Sequence, residues 1–245
     1  MTDNELIAKR FSELKRKSDG YFTFTDFLGL AEQSILKSTV RDGYTLFGGA
    51  DGCERVMARF GIPSELGYEE DFPIGIIEIA PKSEKFAERL THRDYLGSIL
   101  NLGIERDILG DIIIRDTKAY LFVKSDMADF ITDSLTRIRH TEVILKKVKE
   151  IPDGELFKTK RIRIQANGER VDAVVAKVFS LSRDDSAALF KRGLVFINGV
   201  ECVSVSKTLK CDDIVSVRGH GRFIYRGYES LSKKGKLNIE IDVYV

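Results

Sequence analysis

Asn198-Gly199 is the dipeptide that most narrows the folding choices of this 245-residue chain. A two-residue hairpin turn of the favoured type needs positive φ at both central positions, which Asn tolerates and Gly adopts freely, so Asn-Gly between apolar runs enforces a tight antiparallel hairpin. Leu194-Val195-Phe196-Ile197 leads in, and Val203 and Val205 are expected on the return. A further strand is expected over Ile214-Val215-Ser216-Val217-Arg218, ahead of Gly219-His220-Gly221-Arg222-Phe223. Upstream, Val174, Val175 and Val178 share one helical face, and Ser182 stands three residues before Asp185 in a variant of the capping box. A second helix is therefore expected to run to Lys191-Arg192 and to stop at Gly193. A helix pair joined by a tight turn, then a small antiparallel sheet, is the expected module.

Charge singles out the same region. The whole chain is near neutral at +1, yet residues 160–236 hold 16 Lys and Arg against 8 Asp and Glu, leaving 23 against 30 elsewhere. A compact basic segment is the electrostatic footprint of polyanion binding, because neutralising phosphates releases condensed counterions. Ser182 and Arg183 at a helix start add orphan amides and the positive end of a dipole. Lys191 and Arg192 lie two to three turns further along.

Before residue 150 the pattern is mixed. Leu6, Ile7, Phe11 and Leu14 at helical spacing predict a first helix, and residues 54–60 again look helical. The glycines of Phe47-Gly48-Gly49-Ala50-Asp51-Gly52 lack the Lys-Ser or Lys-Thr of a phosphate loop and read as a connection. From Pro73 the order changes. A strand over Ile74-Gly75-Ile76-Ile77-Glu78-Ile79-Ala80 precedes a helix from about Asp94 to Leu102, with Thr91 as cap and Gly103 as stop. A hairpin follows, Ile112-Ile113-Ile114 against Ala119-Tyr120-Leu121-Phe122-Val123, then a helix capped by Ser125 carrying Phe130, Ile131, Leu135 and Ile138, and a strand from Thr141 to Leu145. Strand, helix, hairpin, helix, strand is the ferredoxin-like plan shared with RNA-recognition modules.

The expected fold class is thus α+β in three modules: a mostly helical or mixed N-terminal region (1–72), a ferredoxin-like, RNA-recognition-like middle domain (73–150), and the basic domain (160–245), with a linker around Ile151-Pro152-Asp153-Gly154. No apolar run approaches the roughly 20 residues of a membrane span. The charged N-terminus is unlike a signal peptide, so a cytoplasmic chain without membrane partners is expected. Cys53, Cys202 and Cys211 are odd in number and form no Cys-x-x-Cys pair, so they read as reduced thiols rather than a disulfide or zinc framework.

Two resemblances follow from the motifs. Arg170-x-Asp172, Ser182-Arg183, Lys191-x-Gly193-x-Val195-x-Ile197-Asn198-Gly199 and Asp213-x-Val215 resemble the RNA-binding domain of the ribosomal protein S-four type over about residues 165–230. The resemblance implies RNA contacts at Arg183, Lys191, Arg192, Lys207 and Arg222, and it extends the candidate set to Ser182, Asn198 and Arg218. Arg170 is either a contact or one half of a structural pair with Asp172. Ser186, Val200 and Asp212 depart from the usual small apolar residue, Lys and Gly at their positions, and the missing Lys at 200 thins the expected phosphate contacts. Further upstream, Leu90-Thr91-His92-Arg93-Asp94-Tyr95-Leu96-Gly97-Ser98-Ile99-Leu100-Asn101-Leu102-Gly103-Ile104-Glu105-Arg106-Asp107-x-x-Gly110-Asp111-Ile112 resembles the signature of the bacterial YlmH family. That resemblance implies a ribosome-associated protein with ribosomal RNA of the large subunit as partner, tRNA as a further one, and a part in rescuing stalled nascent chains. His92, Arg93 and Arg106 are candidate RNA contacts on this ground; with Asp107 and Asp111 they equally suit locking a loop.

Catalysis is poorly supported. His92-Arg93-Asp94 lacks the Asn spacing, glycine-rich loop and Asp-Phe-Gly of a kinase. The rival readings are an RNA-modifying enzyme, a pseudouridine synthase or a methyltransferase, and a protein-interaction adaptor whose RNA binding is incidental. Neither a synthase's Arg-Leu-Asp context nor a methyltransferase cofactor loop precedes residue 160. With three histidines and no ligand or triad spacing around His140 or His220, no catalytic residue, metal, cofactor or small-molecule substrate is expected.

Overall fold

The computed structural model describes residues 2–152, 154, 156–232 and 235–244. The chain is α+β and divides into two compact units, Met1–Leu156 and Phe157–Val245. Asp153, in the expected linker, and Lys233 and Lys234, in the basic segment, lie outside the described residues.

The first unit starts with α1 (Asp3–Lys17). The Thr2 hydroxyl accepts from the Glu5 amide at 3.3 Å, and the Glu5 carboxylate accepts from the Thr2 amide at 2.7 Å. This satisfies two amides near the helix start that lack a partner within the helix. Phe11 of α1 and Leu36 of α2 (Leu30–Thr39) are buried together with Phe60. Phe60 belongs to a small antiparallel sheet of β1 (Thr23–Phe24), β2 (Tyr44–Phe47) and β3 (Met57–Phe60), ordered β1-β3-β2. Residues 54–60 are therefore not helical. β3 pairs on both sides and all four of its residues are buried, and such nonlocal pairing outweighs local helical spacing. The short α3 (Pro63–Leu66) follows.

The rest of the unit runs β4 (Ile74–Pro81), α4 (His92–Leu100), β5 (Leu109–Arg115), β6 (Lys118–Lys124), α5 (Ala128–Ser134), β7 (Arg137–Ile138) and β8 (Thr141–Val148). The sheet order is β5-β6-β4-β8-β7 with antiparallel neighbours throughout, the arrangement of a ferredoxin-like module. Thr91 begins α4, its amide and hydroxyl donating to Asp94 at 2.8 and 2.7 Å. Gly103, at φ +84°, lies just beyond its end. α5 stops at Ser134, so Leu135 and Ile138 follow the helix, and Ile138 pairs in β7. One face of the sheet packs on α4 and α5 through Ile77, Ile79, Tyr95, Ile99, Leu121 and Ile131.

The other face of that sheet is closed over β5 and β6, whereas on β8 Ile144 is 56% exposed. Ile113, Tyr120 and Phe122 are 1%, 4% and 0% exposed. The Phe122 ring lies against Gly49, and Phe27 and Phe122 crowd Gly110. A Cβ at Gly49 or Gly110 would stand 2.4 or 2.7 Å from a ring carbon. Glycine at these two positions is what lets the N-terminal segment lie on the sheet. In RNA-recognition modules the helix-free face is where aromatic side chains stack bases; here the N-terminal segment occupies the part of it around Phe122.

The second unit runs β9 (Thr159–Ala166), α6 (Val171–Val178), α7 (Arg183–Lys191), β10 (Val195–Ile197), β11 (Val200–Glu201), β12 (Ile214–Val217), β13 (Gly221–Leu231) and β14 (Leu237–Tyr244). The strands form one antiparallel sheet, ordered β11-β10-β12-β13-β14-β9. Its core joins the helix pair to one sheet face through Val174, Val175, Leu189, Phe190, Phe223 and Ile241. Asn198 and Gly199 take φ +51° and +77°, as the hairpin requires. The return strand is short, however: Val203 is 80% exposed. The chain leaves the sheet there and passes along the start of α6, where the Val171 amide donates to the Lys207 carbonyl at 2.9 Å. Asp212, at φ +69°, adopts the left-handed turn that its position demands.

Candidate nucleic-acid interface

The helix side of the second unit carries Arg183, Lys191 and Arg192 on or just after α7, all exposed and with side chains that have no hydrogen-bond or ion-pair partner among the described residues. Arg183 and Lys191 are eight positions apart, roughly 12 Å along the axis at ~1.5 Å per residue, a spacing that lets them meet separate phosphates. Lys207 is exposed on the loop that passes the start of α6.

The helix start itself is not open to an anion. The Ser182 hydroxyl accepts from the Asp185 amide at 3.0 Å and donates to the Asp185 carboxylate at 2.6 Å. Asp184 and Asp185 put two negative charges in the first turn. The dipole there is already answered, so Ser182 serves as a cap. Asn198 is likewise committed to the fold: its amide nitrogen donates to Asp213 at 2.8 Å and its oxygen accepts from the Ile214 amide at 2.9 Å, pinning the hairpin to β12. Arg170 forms a two-pronged pair with Asp172 at 3.0 and 2.9 Å, the structural alternative left open by the sequence.

Arg218 and Arg222 lie on the sheet side, away from the helices. Arg218 stacks over Phe196 at 4.5 Å and Arg222 over Tyr244 at 4.8 Å. On this face most other arginines are neutralised. Arg161 and Arg226 both grip Asp242 at 2.7 Å, and Arg163 pairs with Glu229 and Glu240. The hydrogen bonds from Arg161 and then Arg226 hold the Asp242 carboxyl down to about 2, against a penalty from burial. The candidate cations thus form two groups on opposite faces rather than one continuous basic surface.

In the first unit, His92 and Arg93 are exposed in the first turn of α4. Arg106 points inward, donating to the carbonyls of Leu109 and Gly110 at 2.7 and 3.2 Å. Beside it Arg55 donates to the carbonyls of Leu109 and Phe27 at 2.8 Å and of Arg106 at 3.2 Å. Burial, followed by the neighbouring Arg55 charge, lowers Arg106 to about 10. Asp111 accepts from the Glu54 and Arg55 amides at 2.6 and 3.2 Å, while burial raises its carboxyl above the ordinary range. Of the two roles open to Arg106 and Asp111, these contacts make them loop locks. Arg55 is invisible to sequence reasoning, because its carbonyl partners lie up to 54 residues away. Cys53, raised to about 12 by burial and then by Asp111, is no nucleophile. Among the described residues no cluster of His, Cys, Asp or Glu is placed to hold a metal ion, and no helix is long and apolar enough to cross a membrane.

Residues 68–151 match the family model described as "Putative RNA-binding domain in YlmH". The ribosome-associated protein quality control protein P2 of Bacillus subtilis (strain 168) is 32% identical over 227 residues, covering 89% of this chain and 86% of that protein. The solved structure of the cell division protein ylmH from Streptococcus pneumoniae aligns with a TM-score of 0.47 at 24% identity, covering 60% of this chain and 92% of that one.

Proposed function

The chain belongs to the YlmH family, and from that premise we propose that it is a ribosome-associated RNA-binding protein that grips structured RNA without catalysing a reaction on it. The RNA we propose is ribosomal RNA of the large subunit, with tRNA as a further contact. The proposed setting is the handling of stalled nascent chains, in keeping with the name of the Bacillus subtilis relative. The observation that carries this reading is the set of exposed cations on and after α7, Arg183, Lys191 and Arg192, which have no partner among the described residues in a unit where Arg161, Arg163, Arg170 and Arg226 are all ion-paired. Cations without internal partners keep their full attraction for phosphate, whereas paired ones must first give up a carboxylate.

Sedimentation and salt titration of the full-length chain test it. The protein should travel with large ribosomal subunits, and its RNA affinity should fall steeply between about 50 and 200 mM salt. Arg183→Glu combined with Lys191→Glu should release it from ribosomes and lower the salt slope by about two, with the melting temperature unchanged. Wild-type sedimentation by the double variant would remove α7 from the interface.

A further inference from the structure

Beside the helix pair the second unit has a recess of about 210 Å³ whose mouth and walls come from four stretches of chain. Lys177 at the end of α6, Arg183 at the start of α7 and Lys236 just before β14 bring three positive charges to it. None of the three side chains has a hydrogen-bond or ion-pair partner, and no carboxylate lines the recess, among the described residues. Ala173 and Leu181 provide an apolar wall, and Asn167, which follows β9, adds an amide able both to donate and to accept. Three like charges around one hollow repel one another, and a bound anion relieves that repulsion.

The size of the hollow narrows the occupant. It is several times the ~30 Å³ share of a water molecule, so a lone small ion does not fill it. It is also below the roughly 300–1,000 Å³ of pockets that enclose a whole small-molecule ligand. One planar ring with a phosphate at the rim matches both the volume and the division into an apolar wall and a cationic mouth. We propose that this recess receives a single unpaired nucleotide of a bound RNA, its base against Ala173 and Leu181 and its phosphate among Lys177, Arg183 and Lys236. The inference rests on the RNA-binding reading above and adds to it a preference for RNA that offers an unpaired base. Because Asn167 presents both a donor and an acceptor, the recess takes a base edge without fixing which base.

The test measures binding of the full-length chain, by fluorescence anisotropy, to a labelled RNA hairpin with a single-stranded loop and to the same stem as a blunt duplex. Ala173→Phe fills the hollow without changing charge, and it should weaken hairpin binding about tenfold while leaving duplex binding unchanged. Lys236→Gln should weaken hairpin binding about fivefold, and Lys210→Gln, an equal charge change outside the recess, less than about twofold. If Ala173→Phe does not fold, the contrast between Lys236→Gln and Lys210→Gln decides alone. Wild-type hairpin affinity in both recess variants would overturn the proposal and leave the RNA-binding reading standing. A wild-type chain that binds neither RNA would bring down both.

Discussion

Arg55 and Arg106 in the first unit and Arg183 and Arg192 in the second are the same residue type in opposite situations. The first pair is turned inward, and its guanidinium groups hold the carbonyls of Phe27, Arg106, Leu109 and Gly110. The second pair stands in water with no protein partner among the described residues. The sheets differ in the same way. The helix-free face of the ferredoxin-like sheet is covered around Phe122 by Phe27 and Gly49, while that of the second unit carries stacked and ion-paired arginines. A count of basic residues therefore locates a module but not its contact surface, because internal partners must be subtracted first. A fold shared with RNA-recognition modules likewise does not carry their mode of binding, since the part of that surface around Phe122 is filled here.

Substitutions should separate the partnered side chains from the free ones, stability responding to the first and affinity to the second. The largest effect is expected from Arg55→Ala, which removes a donor from the carbonyls of Phe27, Arg106 and Leu109, the last keeping Arg106. Urea unfolding should show a loss of about 3 kcal/mol or more, with RNA affinity of the folded protein unchanged. A drop in affinity at constant stability would erase the contrast. Next comes Asp242, whose folded carboxyl lies at about 2 against an ordinary 3.8. A pKa below its unfolded value stabilises the fold above pH ~4, and this is lost as pH falls toward ~2. Allowing for solvent around Arg161, the contribution is about 1–2 kcal/mol. Unfolding midpoints at acidic and neutral pH should therefore diverge less for Asp242→Asn than for wild type; equal divergence would show that the sheet-face ladder contributes nothing. Smaller again, Arg192→Glu should reduce RNA affinity about fivefold while moving stability by no more than about 0.5 kcal/mol. The smallest effect is expected from Arg93→Glu, less than about twofold in RNA affinity. A loss matching that of Arg192→Glu would place the interface on α4 as well.

Much of this architecture is legible in the chain because its signals are local. Thr91 and Ser182 cap the helices that they were expected to cap, and Asn198-Gly199 turns where it must. The strand and helix order of the ferredoxin-like module follows from alternating periodicities read within windows of ten residues or so. What escapes is nonlocal. β3 is strand because two other strands flank it. β9 and β14 pair across 71 to 85 residues, from Ala166 with Leu237 to Thr159 with Tyr244. The candidate site divides along the same line. Exposed lysines and arginines on a helix can be foreseen from spacing, but whether Arg106 meets a carbonyl, or Asn198 meets Asp213, depends on which distant backbone arrives beside it.

The closed sheet face bears on how this protein can be dissected. The matched stretch, 68–151, omits Phe27 and Gly49, and cutting there would uncover the Phe122 ring, which is fully buried in the whole chain. Such a fragment should aggregate through that exposed aromatic patch. A soluble excised piece would have to begin well upstream, with the N-terminal segment serving as a built-in lid whose removal changes the very surface under study.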